Sequence, residues 1–258
     1  MTTLPDILTA LGPAAIAVSG GIDSLTLATA AHRLTPGVTM HHAVSPAVPA
    51  EATARTRAEA ARQGWALDVF DAGEFNDADY RKNPVNRCFF CKTSLYGAIA
   101  SRTRLPIAAG TNTDDLGEYR PGLDAASNHH VRHPFVEAGL DKPAVRRLAA
   151  ALGLGALADL PSAPCLSSRI ETGIPIEVPT LALVHRAETL VSRTLKPATV
   201  RCRVRSTGFV VELDAPTLAR LSPGDAQKIA AGIESLGVTR KIAFATYRTG
   251  SAFLQPAP

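Results

Sequence analysis

Apolar and polar positions along the first half of the chain change period at regular intervals. Short apolar runs stand at "AAIAVS" (14–19), "VTMHHAV" (38–44), "WALDVF" (65–70) and "LPIAAG" (105–110). Between them lie helical stretches at 25–34, 51–63 and 91–102. Buried strands alternating with helices predict a parallel sheet covered on both faces, an α/β fold. The pattern then breaks. Residues 111–135 are polar and rich in turn formers, too long for a plain connector, and read as a functional loop. A helix follows, with Asp141 as its N-cap and Gly153 at its end. A proline-punctuated loop comes next and carries Cys165.

From about residue 178 the pattern predicts a helix (179–195), two strands ("TVRCRVRS" and "GFVVELD"), a long helix (215–236) and a last strand in "VTRKIAFATYR". The expected organisation is therefore an α/β domain over 1–177 and a small α+β domain over 178–258. No repeat or low-complexity segment interrupts it.

Composition narrows the classes. The 258 residues are 46% hydrophobic and 19% charged, which suits a packed globular chain and excludes a disordered one. No apolar stretch reaches membrane-spanning length, and no basic start followed by an apolar core marks a signal peptide, so a cytoplasmic location is expected. The net charge of +4 leans only slightly towards anionic partners. Its densest basic run, 196–205, holds Lys196, Arg201, Arg203 and Arg205, and a period of two puts the three arginines on the face opposite Cys202 and Val204. That face suits either a phosphate or ordinary solvation, and Cys202 suits the core.

The most specific local signal is "AVSGGIDS" (17–24). A glycine pair at the end of a buried strand lets the backbone approach a ligand closely. The following helix offers its free N–H groups to an anion. Ser19 and Ser24 add hydroxyl groups, and the Asp23 carboxylate beside a phosphate site suits a magnesium ion. No lysine follows the glycines, so the run is not G-x-x-x-x-G-K-[ST], nor is it G-x-G-x-x-G. A glycine turn capped by Asp and Ser is the plain structural alternative. The cysteines carry the second signal. Cys88 and Cys91 form a C-x-x-C pair, and Cys165 lies far along in a turn-rich loop. Three thiolates can hold a 4Fe–4S cluster with one open iron, or zinc completed by one of His129, His130 and His133. Buried small apolar residues are the alternative for the pair.

The run S-G-G-x-D-S resembles the pyrophosphate-binding loop of the PP-loop ATP pyrophosphatases. With "NRCFFCKTSLY" (86–96), "GTNTDDLGEYRPGL" (110–123), "PCLSSRI" (164–170) and "RVRSTG" (203–208), nearly the whole chain resembles the LarE family of sulfur transferases. The resemblance implies an adenine nucleotide alpha hydrolase-like sheet and an ATP- and Mg2+-dependent reaction. In it, the carboxylates of pyridinium-3,5-dicarboxylic acid mononucleotide are adenylated and become thiocarboxylates. It implies that Ser19, Gly20, Gly21, Asp23, Ser24, Thr111 and Asn112 bind ATP, and that Asp23 and Cys165 are catalytic. Cys88, Cys91 and Cys165 would hold a 4Fe–4S cluster bearing hydrosulfide, with Cys165 as a sacrificial sulfur donor the other route the family uses. Arg203, Arg205, Arg201 and Arg120 would hold the substrate phosphate. A sulfide source, a homo-oligomer and no membrane partner are implied as well. A tRNA-thiolating enzyme is the nearest rival, but this chain has no tRNA-docking module or zinc-finger cysteines. Two places depart from the family pattern: Ser206-Thr207 stands where a His is common after "RVR", and Glu171-Thr172-Gly173 where Tyr-Gly is common.

Overall fold

A computed structural model describes residues 2–117, 120–161 and 164–253. In chain order the elements are α1 (Leu4–Leu11), β1 (Ala15–Ala17), α2 (Ile22–Leu34), β2 (Thr39–Val44), α3 (Ala50–Gln63), β3 (Leu67–Asp71), α4 (Ala78–Arg81), α5 (Arg87–Arg102) and β4 (Ile107–Ala109). They continue with α6 (Pro121–Asn128), α7 (Pro134–Glu137), α8 (Lys142–Ala151), α9 (Val178–Leu195), β5 (Val200–Arg205), β6 (Gly208–Leu213), α10 (Ala215–Ala219), α11 (Pro223–Ser235) and β7 (Ile242–Thr246). Two compact units divide the chain: Met1–Asp77 with Asn86–Ala163, and Ala78–Val85 with Pro164–Pro258.

The first unit is the expected α/β layer structure. Its four-stranded sheet runs β3-β2-β1-β4, and every neighbouring pair is parallel. The central strand β1 is buried on both faces, which is why it reads as an unbroken apolar run. Its side chains alternate: Ile16 packs with Leu4, Leu25 and Val145 of α1, α2 and α8. Ala15 and Ala17 pack with Tyr96, Ile99 and Ala126 of α5 and α6 on the other side. Helix starts follow the local chemistry. Thr3 and Asp6 form a reciprocal capping box ahead of α1. Asp141 caps α8 as expected, accepting from the Ala144 amide at 2.8 Å.

The second unit holds the sheet β5-β6-β7, with β5 and β6 antiparallel and β6 and β7 parallel. Leu181, Val184, Ala187 and Val191 repeat at helical spacing along α9, and all four are buried. The segment 78–85 belongs here rather than to the first unit. Asn83, at φ 57°, donates its side-chain amide to the carbonyls of Glu171 and Ile174, both at 2.8 Å. The unit takes up the chain again at Pro164, ahead of the boundary expected at 178.

Two local expectations change. The stretch 111–135 is not an open loop: it folds into a 3₁₀ turn at Thr113–Gly117, α6 and α7, with Pro121 and Pro134 at helix starts, where proline is tolerated. The helix expected over 215–236 is two helices. Ser222 accepts from the Asp225 amide at 3.1 Å and Pro223 opens α11, so the chain restarts there instead of continuing.

Candidate functional site

The parallel register brings the carboxyl ends of β1 and β4 to one edge of the sheet, where ligands bind in open α/β folds. Ser19 to Ser24 form the turn at that edge. Gly20 has φ 79°, and a Cβ there would come within 2.6 Å of the Ala52 carbonyl oxygen, so only glycine lets the turn lie against α3. Arg55 of α3 donates its Nε to the Gly20 carbonyl at 2.7 Å. From β2, the buried His42 bonds the Val18 carbonyl at 2.8 Å and Thr53 Oγ1 at 2.9 Å, and burial pushes its pKa down. Gly110, at the end of β4, lies against the start of α2: a Cβ on it would stand 2.9 Å from the Asp23 carbonyl oxygen.

The serines close the turn on itself. Ser24 Oγ donates to the Gly21 carbonyl at 2.9 Å and accepts from the Ser19 amide at 3.1 Å. Gly21 is the N-cap of α2 and supplies no side-chain cap. The first-turn amides of that 13-residue helix therefore face the turn without a side-chain acceptor, the arrangement that suits an anion.

Asp23 meets a partner that local sequence could not show. The ammonium of Lys142, 119 positions along the chain, ion-pairs with Asp23 Oδ2. Asp23 Oδ1 is buried and accepts no hydrogen bond among the described residues. Lys142 is the first residue of α8, and its amide donates to Asp114 Oδ2 at 3.2 Å. Asn112 is buried and works inside the same turn, accepting from the Asp114 amide at 3.1 Å, while its own amide donates to Asp115. Thr111 adjoins it, partly exposed. This is Asx-turn chemistry, and its outcome is to set Lys142 beside the glycine turn. Arg120 pairs with Asp115 at 2.9 Å.

Cys88 and Cys91 lie one turn apart on α5, both half-buried. His129 ends α6 against Tyr96, and His130 takes a left-handed φ of 52°. Burial pushes the pKa of His133 down. Among the described residues no group of three or more His, Cys, Asp or Glu is disposed to hold a metal ion.

In the second unit Cys165 is exposed and caps a 3₁₀ turn, Leu166–Arg169, whose residues are all buried. Cys202 lies in the core, as its strand position indicates, and burial drives its thiol pKa well up. The expected arginine face of β5 is not a solvated one. Arg203 is 4% exposed and donates its Nε to Glu212, itself 3% exposed, at 2.9 Å. Its Nη1 donates to the Ser168 carbonyl at 2.8 Å. Arg205 pairs with Glu212 at 2.8 Å and with Glu171 at 3.5 Å. Arg201 is half-buried, its guanidinium 5.7 Å from the Tyr247 ring centre. The acidic partners Glu171 and Glu212, and Lys142 and Arg55 beside the glycine turn, carried no local signal. Lys142, Arg55 and Glu212 sit in ordinary helix or strand patterns, and Glu171 in a loop.

No protein-family profile matches the chain. It is 35% identical over 216 residues to slr1717, an uncharacterized protein of Synechocystis sp., covering 80% of this chain and 77% of that one. It is 26% identical over 203 residues to MJ0830, an uncharacterized protein of Methanocaldococcus jannaschii, covering 77% of each.

Proposed function

This chain belongs to the family of the Synechocystis protein slr1717, and we propose that it is a PP-loop ATP-dependent sulfur transferase resembling LarE. The observation that carries the reading is the glycine turn: an uncapped helix N-terminus at the carboxyl edge of a parallel sheet, with Asp23 and Lys142 beside it.

The first-turn amides of α2 and the Lys142 ammonium would hold the β and γ phosphates of ATP. Asp23 fits a magnesium ion, since among the described residues Oδ1 has no hydrogen-bond partner and Oδ2 pairs with the Lys142 ammonium. Bound there, magnesium would neutralise phosphate charge as pyrophosphate leaves. A substrate carboxylate oxygen bonds to the α phosphorus, the bond to the bridging oxygen breaks, and pyrophosphate departs. The acyl adenylate then has AMP as a good leaving group, which a bare carboxylate lacks.

Cys165 is the sulfur-bearing position. Its thiolate attacks the acyl carbon and expels AMP to give a thioester. Loss of the Cys165 Cα proton with cleavage of the Cβ–S bond releases the thiocarboxylate and leaves dehydroalanine. A 4Fe–4S cluster is the second reading, favoured by Cys88 and Cys91 one helical turn apart. Cys165 would be the third ligand of such a cluster, which would supply an open iron for hydrosulfide. The substrate is pyridinium-3,5-dicarboxylic acid mononucleotide, converted once at each carboxylate. Its phosphate falls to Arg201 and Arg205, which are partly exposed, whereas Arg203 is buried against Glu212. The working form is a cytoplasmic homo-oligomer that uses no tRNA.

The test is anaerobic purification with iron, sulfide and zinc analysis, followed by ATP-dependent thiolation of the dicarboxylate nucleotide. Thiocarboxylate with a single turnover and a mass loss at Cys165 supports the thiol route. About four irons with matching sulfide and multiple turnovers moves the sulfur to a cluster. No pyrophosphate release with any carboxylate substrate overturns the reading. Thiolated tRNA in place of thiocarboxylate overturns the substrate.

A further inference from the structure

The loop that presents Cys165 is held by more buried polar side chains than a surface turn needs. Arg169 is buried, and its guanidinium divides into two halves. Nε and Nη2 form a fork on Glu188 of α9, at 2.8 and 3.0 Å. Nη1 faces the other way and donates to the Pro164 carbonyl at 2.7 Å, the Cys165 carbonyl at 3.2 Å and Ser168 Oγ at 2.9 Å. Glu188 is fixed in turn, since its Oε1 also accepts the Cys202 amide of β5 at 2.9 Å. Two further buried groups close the frame: Tyr80 Oη bonds Ser167 Oγ at 2.7 Å, and Arg203 takes the Ser168 carbonyl. Every residue from Leu166 to Ile170 is buried, while Cys165 beside them is exposed.

We infer that Arg169, anchored by Glu188, is a positioning residue for the Cys165 thiol. The inference rests on the sulfur-transfer reading above. Two carbonyls flank the Cα that carries the thiol, and one guanidinium nitrogen holds both. Fixing those two peptide groups fixes the Cα–Cβ vector, and with it the line along which sulfur leaves. A buried ion pair is weak evidence of stability by itself, because desolvation offsets the attraction. What the fork supplies is a single orientation, since a guanidinium locked on a planar carboxylate cannot rotate away from the carbonyls. Lysine keeps the charge without the fork, and glutamine loses both. Displacement at an acyl carbon is sensitive to misplacement of the nucleophile by about 1 Å, at roughly a hundredfold in rate.

The experiment compares Arg169→Gln, Arg169→Lys and the milder Glu188→Gln with the wild type in three measurements. ATP–pyrophosphate exchange with the dicarboxylate nucleotide reads activation, thiocarboxylate formation reads sulfur transfer, and amide hydrogen exchange reads the peptide spanning 164–170. Arg169→Gln is expected to keep exchange within about twofold, lose about 30-fold or more in sulfur transfer, and speed amide exchange in that peptide by about tenfold. Arg169→Lys falls between it and the wild type, and Glu188→Gln shows the same split at smaller size. If Arg169→Gln does not fold, Glu188→Gln decides. Activation and transfer falling together, in proportion to folded protein, would overturn the positioning role and leave a structural one. Unchanged transfer with a loosened loop would overturn it as well. Wild-type protein that exchanges pyrophosphate but never forms thiocarboxylate would remove the sulfur-transfer reading itself, and the inference with it.

Discussion

Replacing Lys142 by Met removes the ammonium from Asp23 while keeping a stem of similar length. A unit charge pair at 4 Å is worth about 1 kcal/mol in water and about 4 kcal/mol at an effective dielectric of 20. The two side chains here are 27% and 26% exposed, between those limits. After screening, about 1–2 kcal/mol of stability should go with the ammonium. A midpoint shift in urea unfolding at constant slope reads that loss. The functional effect is separate. A charge-assisted contact to phosphate contributes about 1.5–3 kcal/mol, so pyrophosphate should bind roughly ten- to a hundredfold more weakly. Asp23, released from its partner, should bind magnesium more tightly when no nucleotide is present. One substitution thus gives opposite signs for the two ligands, both measurable by titration calorimetry. Lys142→Arg should recover part of the pyrophosphate affinity. Pyrophosphate affinity within about twofold of wild type in Lys142→Met would refute the reasoning, because the ammonium would then serve only to hold Asp23.

Three further outcomes follow from particular contacts. Gly20→Ala combines a left-handed backbone with a Cβ 2.6 Å from the Ala52 oxygen, and should cost about 2–4 kcal/mol in denaturant unfolding and abolish detectable ATP binding. Arg203→Met takes the Nε donor from the buried Glu212 Oε2 and leaves Arg205 and Ser251 on Oε1, and should cost about 3–5 kcal/mol, seen as a large drop in melting temperature. An unchanged melting temperature would return Arg203 to the phosphate site. Burial lowers the pKa of His41 and His42 in the folded chain below their unfolded value, so the unfolded state binds more protons as pH falls. Stability is then full above pH about 6.5 and is lost as pH falls towards the folded values, by up to about 1.4 kcal/mol per pH unit for each histidine. Melting curves across that window check the sign, and a flat or rising profile on acidification would contradict it.

Strand and helix alternation in the first unit was legible because β1 and its neighbours are buried on both faces and read as apolar runs. The glycine turn was legible because its residue types are each demanded by backbone or charge. Lys142 was not, since nothing near it in sequence says that α8 starts beside α2. The arginines of β5 were assigned to a face correctly, but periodicity cannot say what covers that face. Glu212 and Glu171 cover it, one on the neighbouring strand and one in a loop. The turn formers of 111–135 looked like loop because Pro121 and Pro134 sit at helix starts, where the same residues end one element and open the next. The membership of 78–85 in the second unit depends on Asn83 and Tyr80 meeting residues made much later, which no local pattern encodes.

That last join bears on the order of events at the ribosome. Tyr80 and Asn83 leave the exit tunnel with the first unit, yet their partners Ser167, Glu171 and Ile174 have not been synthesised. At about 5–20 residues per second, those partners, 87 to 91 positions further on, follow only after roughly 4–18 seconds. During that interval an aromatic ring and an amide destined for the interior stay in solvent on a half-made chain. A fragment that begins at Pro164 would lack both residues altogether. The second unit can therefore be produced alone only if 78–85 is fused back onto it.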